Sequence, residues 1–170
     1  MDMKEILIDK IVVNMGVGGD PDEMKRAQKI MDVVTKRKSI QTKTQMKAPE
    51  WGLRPGLAIG LKVTFRGKSA REFFDNTILA KEKKLSAKNF DERGNFGFGV
   101  KEYIDIPGMR YDPKLGIRGF DVLVTLKRRG YRVKSRKLKP SKVGKSHVIN
   151  KQEAIDFVKT LGVEIEWLTQ

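Results

Sequence analysis

The alternation of apolar and polar residues divides the chain into short strands and three amphipathic helices. Residues 5–14 are rich in β-branched side chains and run into Gly16-Val17-Gly18-Gly19, which predicts a strand and a turn. Asp20-Pro21-Asp22-Glu23 opens a helix: Asp20 can cap, Pro21 suits the first helical position, and Glu23 can reach back to the cap backbone. Met24, Ala27, Met31 and Val34 give that helix one buried stripe, to about Thr35. Residues 39–47 place Ile40, Thr42, Thr44 and Met46 on one side and Gln41, Lys43, Gln45 and Lys47 on the other. Residues 58–66 alternate more cleanly, with Ile59, Leu61, Val63 and Phe65 opposed to Gly60, Lys62, Thr64 and Arg66.

A second helix starts at Ser69, with Glu72 completing a capping box, and buries Ala70, Phe73, Phe74 and Ile78. Residues 80–99 read as irregular and end in the glycine-rich Gly94-Asn95-Phe96-Gly97-Phe98-Gly99. Two further strands are expected near 100–106 and 119–127, separated by Pro107-Gly108 and the turn-rich 111–116. Asn150 and Glu153 cap a last helix, which ends before Gly162 and turns Ala154, Ile155, Val158 and Leu161 inward. Several connections between strands are too short for parallel crossovers. The expected fold is therefore α+β: an antiparallel β-sheet with amphipathic helices packed on one face and the opposite face open. No repeat or linker divides residues 1–170, which read as a single domain with a long loop at 47–57.

Charge changes this picture from a generic layer to a binding surface. The 170 residues hold 36 Lys and Arg against 21 Asp and Glu, a net charge of +15. Residues 122–152 contain eleven bases and no acid, and residues 36–68 contain nine bases against Glu50 alone. The remainder is slightly acidic. An excess confined to two blocks points to a polyanion. No apolar run approaches the roughly 20 residues that span a bilayer, and Met1-Asp2-Met3-Lys4-Glu5 has none of the features of a signal peptide. A cytoplasmic location without membrane contact, and nucleic acid as partner, are the expectations.

Catalytic and metal chemistry find little support. Cysteine is absent, which excludes disulfides, thiol nucleophiles, zinc ribbons and iron–sulfur sites, and His147 is the only histidine. The Gly-Lys-Ser triplets at 67–69 and 144–146 have Lys62 and Lys139 where a phosphate-binding loop needs glycine. The Gly16–Gly19 turn lacks the third glycine in register, and Asp20 and Asp22 beside it would repel phosphate. Asp91, Glu92, Asp112 and Asp121 sit near turns without metal-loop spacing. His147 has no evident acid partner, so phosphate contact or plain exposure suits it better than catalysis. No cofactor or metal is expected, and the chain does not read as an enzyme.

An RNA-binding sheet face accounts for the charge best. Residues two apart on a strand lie about 6.6 Å apart on one side, so Lys62, Thr64 and Arg66 form a row of donors beside Gln41, Lys43 and Lys47. Arg can fork onto phosphate, Lys supplies a point charge, and Thr can reach a ribose hydroxyl. Residues 93–100 partly match the aromatic strand of RNA-recognition motifs, but Asn95 interrupts the pattern and Ile6 and Ile8 replace the partner rings. A glycine loop entering a strand is the alternative there.

Three blocks, Val13-Asn14-Met15-Gly16-Val17-Gly18, Gly60 through Gly67, and Gly94 through Glu102, together with Ile117-Arg118-Gly119-Phe120-Asp121, resemble the ribosomal protein L5 family in content and order. The resemblance covers roughly residues 5–127 and implies a 5S rRNA binder of the large-subunit central protuberance. It also implies contacts with large-subunit rRNA, with P-site tRNA and with a protein of the small-subunit head. By position it assigns Asn14, Thr42, Lys43, Lys62, Thr64 and Arg66 to 5S rRNA. The loop holding Lys47, Trp51, Arg54 and Pro55 falls to tRNA, with Trp51 either exposed or packed under its own loop. The N-terminal helical extension of bacterial members has no match here. The stretch 127–147, with Arg128, Arg129, Arg132, Lys134 and Arg136, looks like the archaeal or eukaryotic branch and suits rRNA phosphate. The terminal Trp167-Leu168-Thr169-Gln170 has no counterpart. Two rivals remain: an enzyme acting on RNA, and a free-standing protein that binds single strands through Phe96 and Phe98.

Overall fold

The computed structural model describes residues 2–167, so Leu168–Gln170 of the terminal motif lie outside the described residues. Its strands are β1 (Ile6–Gly16), β2 (Ile40–Lys43), β3 (Ala58–Arg66), β4 (Lys84–Ser86), β5 (Phe96–Val100), β6 (Phe120–Arg128) and β7 (Glu164–Glu166). Its helices are α1 (Pro21–Thr35), α2 (Lys68–Leu79), α3 (Arg132–Ser135) and α4 (Lys151–Thr160). Five strands form one antiparallel sheet in the order β2-β3-β1-β6-β5, and β4 pairs in parallel with β7. The α+β class expected from the alternation is the class observed. By packing, the chain divides into two compact units, one of residues 1–11, 66–98 and 123–170, the other of residues 12–65 and 99–122.

In the unit of residues 12–65 and 99–122, α1 starts as its sequence dictates. Asp20 is extended, and its carboxylate accepts from the Asp22 N–H at 2.9 Å ahead of Pro21. Glu23 does not complete the expected box; its Oε2 accepts from Arg118 Nη2 at 3.0 Å, which ties the helix to the segment entering β6. Met24, Ala27, Ile30, Met31 and Val34 of the helix are buried, as are Val13, Met15, Leu61, Val63 and Phe65 of the strands. Each of these side chains larger than alanine contributes about 1.5–3 kcal/mol when fully removed from water. Two glycines permit close backbone approach. A Cβ on Gly60 would meet the Met15 carbonyl oxygen at 2.8 Å, and one on Gly119 would lie 2.5 Å from the Lys101 carbonyl oxygen. The strand expected over 100–106 stops at Val100. A 3-10 turn at Tyr103–Asp105 replaces it, burying the Tyr103 ring while its hydroxyl accepts from the Asp112 N–H at 3.2 Å.

In the unit of residues 1–11, 66–98 and 123–170, α2 begins at Lys68 behind Gly67, one residue before the expected cap. Ser69 Oγ donates to the Arg66 carbonyl at 3.1 Å. Phe74 is fully buried and meets Phe96 and Phe98 edge-on, with ring centroids 6.0 and 6.4 Å apart, while Phe90 stacks on Phe96 at 4.9 Å. The segment that reads as an irregular glycine loop is thus already strand at Phe96, because its alternate aromatic rings are needed by the core under α2. That burial removes Phe96 and Phe98 as a platform for stacked bases. At α4, the Asn150 side chain accepts from the backbone of Glu153 and Glu153 accepts in return from the Asn150 N–H, completing the capping box the sequence predicts.

Candidate nucleic-acid interface

The β2–β3 ladder decides which polar residues share a surface. Directly paired residues of an antiparallel ladder point to the same side. Ile40 pairs with Lys62 and Gln41 with buried Leu61, so Gln41 does not join the Lys62 side as the simple alternation implies. The register then shifts: Thr42 pairs with Gly60 and Lys43 with Ala58. The extra residue is Ile59 of β3, so the alternation of β2 itself is unbroken: Thr42 falls on the side of Lys62 and Thr64, and Lys43, next along this edge strand, points to the other side. β2 ends at Lys43, so Lys47 belongs to the following loop rather than to a strand row. Lys43, Lys62 and Thr64 are exposed, while Thr42 and Asn14 are half-buried. Asn14 lies on β1 between buried Val13 and Met15, hence on the opposite side from them.

Buried Thr44 pins the loop that follows. Its N–H donates to the Leu57 carbonyl and its carbonyl accepts from Gly56 N–H, both at 2.8 Å, while its hydroxyl accepts from Met46 N–H. Beyond this base Ala48 and Leu53 pair as an isolated bridge around a 3-10 turn at Pro49–Trp51. The tip carries Trp51, 74% exposed, together with exposed Lys47, Arg54 and Pro55. Of the two readings open for Trp51, exposure is the one observed.

The other unit holds the second basic block. Arg66 is exposed, and its Nη1 lies 4.0 Å from Asp9 Oδ1, the oxygen that also accepts from Lys127 Nζ at 2.7 Å. Arg129 pairs with Glu5 at 2.8 Å. Arg132, Lys134 and Arg136 are exposed on and after α3, with Arg136 Nε donating to the Lys139 carbonyl. His147 closes this strap: its Nε2 lies 2.7 Å from the Arg129 carbonyl oxygen, and its own carbonyl accepts from the Tyr131 hydroxyl. A structural bond thus occupies the histidine.

Arg128 departs from the expected surface role. Burial on β6 falls on Phe120, Val122, Val124, Leu126 and then Arg128, which is only 6% exposed. Its Nη2 donates to Glu153 Oε1 at 2.7 Å, and its Nε is buried without a hydrogen-bond partner. Strand parity, not charge, sets its position, and it is not available to a ligand at the surface. Glu153 serves two partners at once. The Asn150 N–H and then the Arg128 guanidinium hold its carboxyl below the usual carboxylate range, against the opposing effect of partial burial. Because the strap leaves the sheet after Arg128 and returns at Asn150, this one carboxylate fastens both of its ends.

The strap and the sheet end enclose a groove of about 1140 Å³. Arg66, Arg132 and Lys134 line it as the basic pattern suggests, but so do Asp9, Lys10, Arg93 and Lys142, which the sequence pattern does not single out. Those residues come from segments distant along the chain, and no local period connects them. Among the described residues, no group of three or more His, Cys, Asp or Glu is placed to hold a metal ion, and no helix is long and apolar enough to cross a membrane.

Comparison with known proteins gives two family matches, to ribosomal protein L5 over residues 2–54 and to the C-terminus of the same ribosomal family over residues 58–161. The chain is 47% identical over 161 residues to the large ribosomal subunit protein uL5 of Methanococcus maripaludis strain C5, covering 93% of this chain and 89% of the relative. It is 44% identical over 165 residues to that of Nanoarchaeum equitans, covering 96% and 97%. The corresponding protein of Archaeoglobus fulgidus is 43% identical over 164 residues, covering 96% and 92%.

Proposed function

The chain belongs to the ribosomal protein L5 family and is a structural constituent of the large ribosomal subunit, not an enzyme, and from that premise we propose that it anchors 5S rRNA through the β2–β3 face. One observation carries this reading: Lys62 and Thr64 stand on the exposed side of β3, whose Leu61, Val63 and Phe65 are buried on the other, and the ladder sets Thr42 beside them with exposed Lys43 next along the edge strand. Lys43 and Lys62 supply charge for backbone phosphates, and the threonine hydroxyls suit ribose 2′-OH groups, the contact that separates RNA from DNA. Asn14 adds an amide, which can both donate and accept.

Arg66 and the strap residues Arg129, Arg132, Lys134 and Arg136 extend the reading to phosphates of 5S and large-subunit rRNA in the central protuberance. The loop of Lys47, Trp51, Arg54 and Pro55 is assigned to P-site tRNA: an indole held clear of its own loop by a short hydrogen-bonded hairpin is placed to stack or wedge rather than to pack. Neighbouring ribosomal proteins, including one of the small-subunit head, and a cytoplasmic ribosome complete the proposal.

The test is the salt dependence of 5S rRNA binding. Each phosphate neutralised steepens the fall of log affinity with log salt by about 0.7–0.9. Lys62→Ala together with Lys43→Ala should lower both affinity and slope, by up to about two slope units, with an unchanged melting temperature. An affinity that ignores salt, or a double variant that binds as tightly as the parent, overturns the reading.

A further inference from the structure

The groove of the unit of residues 1–11, 66–98 and 123–170 combines three chemistries that a site for phosphate alone would not need. Cations line it, Arg66, Arg132 and Lys134 among them. Half-buried Tyr131, Val143 and Val148 add apolar surface to its lining. Asp9 is the sole acid of the lining. A carboxylate weakens phosphate binding, so its presence among so many bases calls for a reason. Part of the reason is positional, since Asp9 Oδ1 holds Lys127 at 2.7 Å and draws Arg66 to 4.0 Å. Both contacts fall on Oδ1, which leaves Oδ2 with acceptor capacity on a residue that lines the groove.

The complement of these groups is selective. A duplex offers a convex row of phosphates with its bases stacked inside, so it uses the cations, gains nothing from the apolar surface and is repelled by Asp9. An unpaired nucleotide offers a phosphate to the cations, a ring face to Tyr131 and the two valines, and, where the base carries an amino group, donors to a carboxylate. Single-stranded loops and bulges are also where RNA exposes its base edges.

We propose that this groove is a binding site for one unpaired, unstacked RNA nucleotide, and that Asp9 selects a base bearing an exocyclic amino group. The inference rests on the RNA-binding reading above and deepens it, at residues other than Thr42, Lys43, Lys62 and Thr64. Aspartate at position 9 then acts in two ways, orienting Lys127 and Arg66 and excluding generic phosphate rows.

The test uses the full chain and fluorescence anisotropy at one fixed salt concentration. The probes are short unpaired oligoadenylate, oligocytidylate and oligouridylate, and a blunt RNA duplex of unrelated sequence. The adenine and cytosine oligomers should bind about tenfold more tightly than the uracil oligomer, and more tightly than the duplex. Asp9→Asn should erase the preference for amino-bearing bases and raise duplex affinity, with an unchanged melting curve. Val143→Trp, which fills the groove, should weaken the unpaired oligomers and spare the duplex. The proposal is overturned if the duplex binds as well as every oligomer, or if the base preference survives Asp9→Asn. Should that happen while Lys62→Ala still weakens 5S rRNA binding, the groove assignment falls alone. If the folded protein binds none of these RNAs and 5S rRNA as well, both readings fall.

Discussion

Replacing Glu153 by glutamine tests how the basic strap is held. The amide keeps an acceptor for the Asn150 N–H, so the helix cap survives, but it removes the negative charge facing Arg128 at 2.7 Å. Breaking a well-buried pair by deleting one partner costs about 3–5 kcal/mol. Here the Arg128 side chain is 7% exposed but that of Glu153 is 41% exposed, so water can screen part of the lost attraction. About 1–3 kcal/mol is expected, the range for a buried donor losing its partner, or roughly 2–12 °C in melting temperature for a chain of this size.

The pH dependence carries the sign. Glu153 has its carboxyl depressed in the folded state, first by the Asn150 N–H and then by Arg128, so its contribution is complete above the unfolded value, near 4.5, and is lost as pH falls through the folded one. Thermal melts of the native chain and Glu153→Gln should therefore differ most at neutral pH and converge in acid. Amide exchange of Ser141, whose N–H donates to the Val133 carbonyl, should quicken in the variant as the strap loosens. Equal melting temperatures at pH 7, or a gap that persists undiminished in strong acid, would refute the reasoning.

Three further substitutions separate packing from recognition. Gly119→Ala puts a methyl 2.5–2.6 Å from the carbonyl oxygens of Lys101 and Val100 and should destabilise by about 1–3 kcal/mol in chemical denaturation. Phe98→Ala empties a core position against Phe74 and should cost about 3–5 kcal/mol; where the variant is still folded, its RNA affinity should match the parent's, whereas a base-stacking role would lower it. Trp51→Ala should leave the melting temperature within about a degree or two, as surface positions usually do, yet remove the tRNA-induced quenching of indole fluorescence expected of the native loop.

Sequence alone exposes some of this construction and conceals the rest for definite reasons. The caps at Asp20 and Asn150 are legible because a helix terminus is a local chemical problem solved within four residues. The buried faces of β3 and α2 are legible because period carries them. The placement of Gln41 and Lys43 is not, because alternation within β2 does not say which of its sides meets Lys62; the ladder pairs Ile40 with Lys62 and so puts Thr42, not Gln41 or Lys43, on that side. β5 hides behind its glycines, which read as loop until the rings of Phe96 and Phe98 find Phe74. Arg128 shows the opposite failure: the period running from Phe120 through Leu126 points it inward, but the run of like charges around it suggests a surface and masks that period. Asp9 meets its partner Lys127 across 118 positions of chain, a pairing only the folded sheet creates.

The central claim is that this surface recognises 5S rRNA and not merely phosphate. A gel-shift competition addresses it most directly, with the purified chain on labelled 5S rRNA and with tRNA and an unrelated duplex RNA as competitors at physiological salt. The account predicts a 5S rRNA complex that resists an excess of either competitor. Equal displacement by all three RNAs would contradict it, and would reduce the basic blocks to a generic polyanion surface.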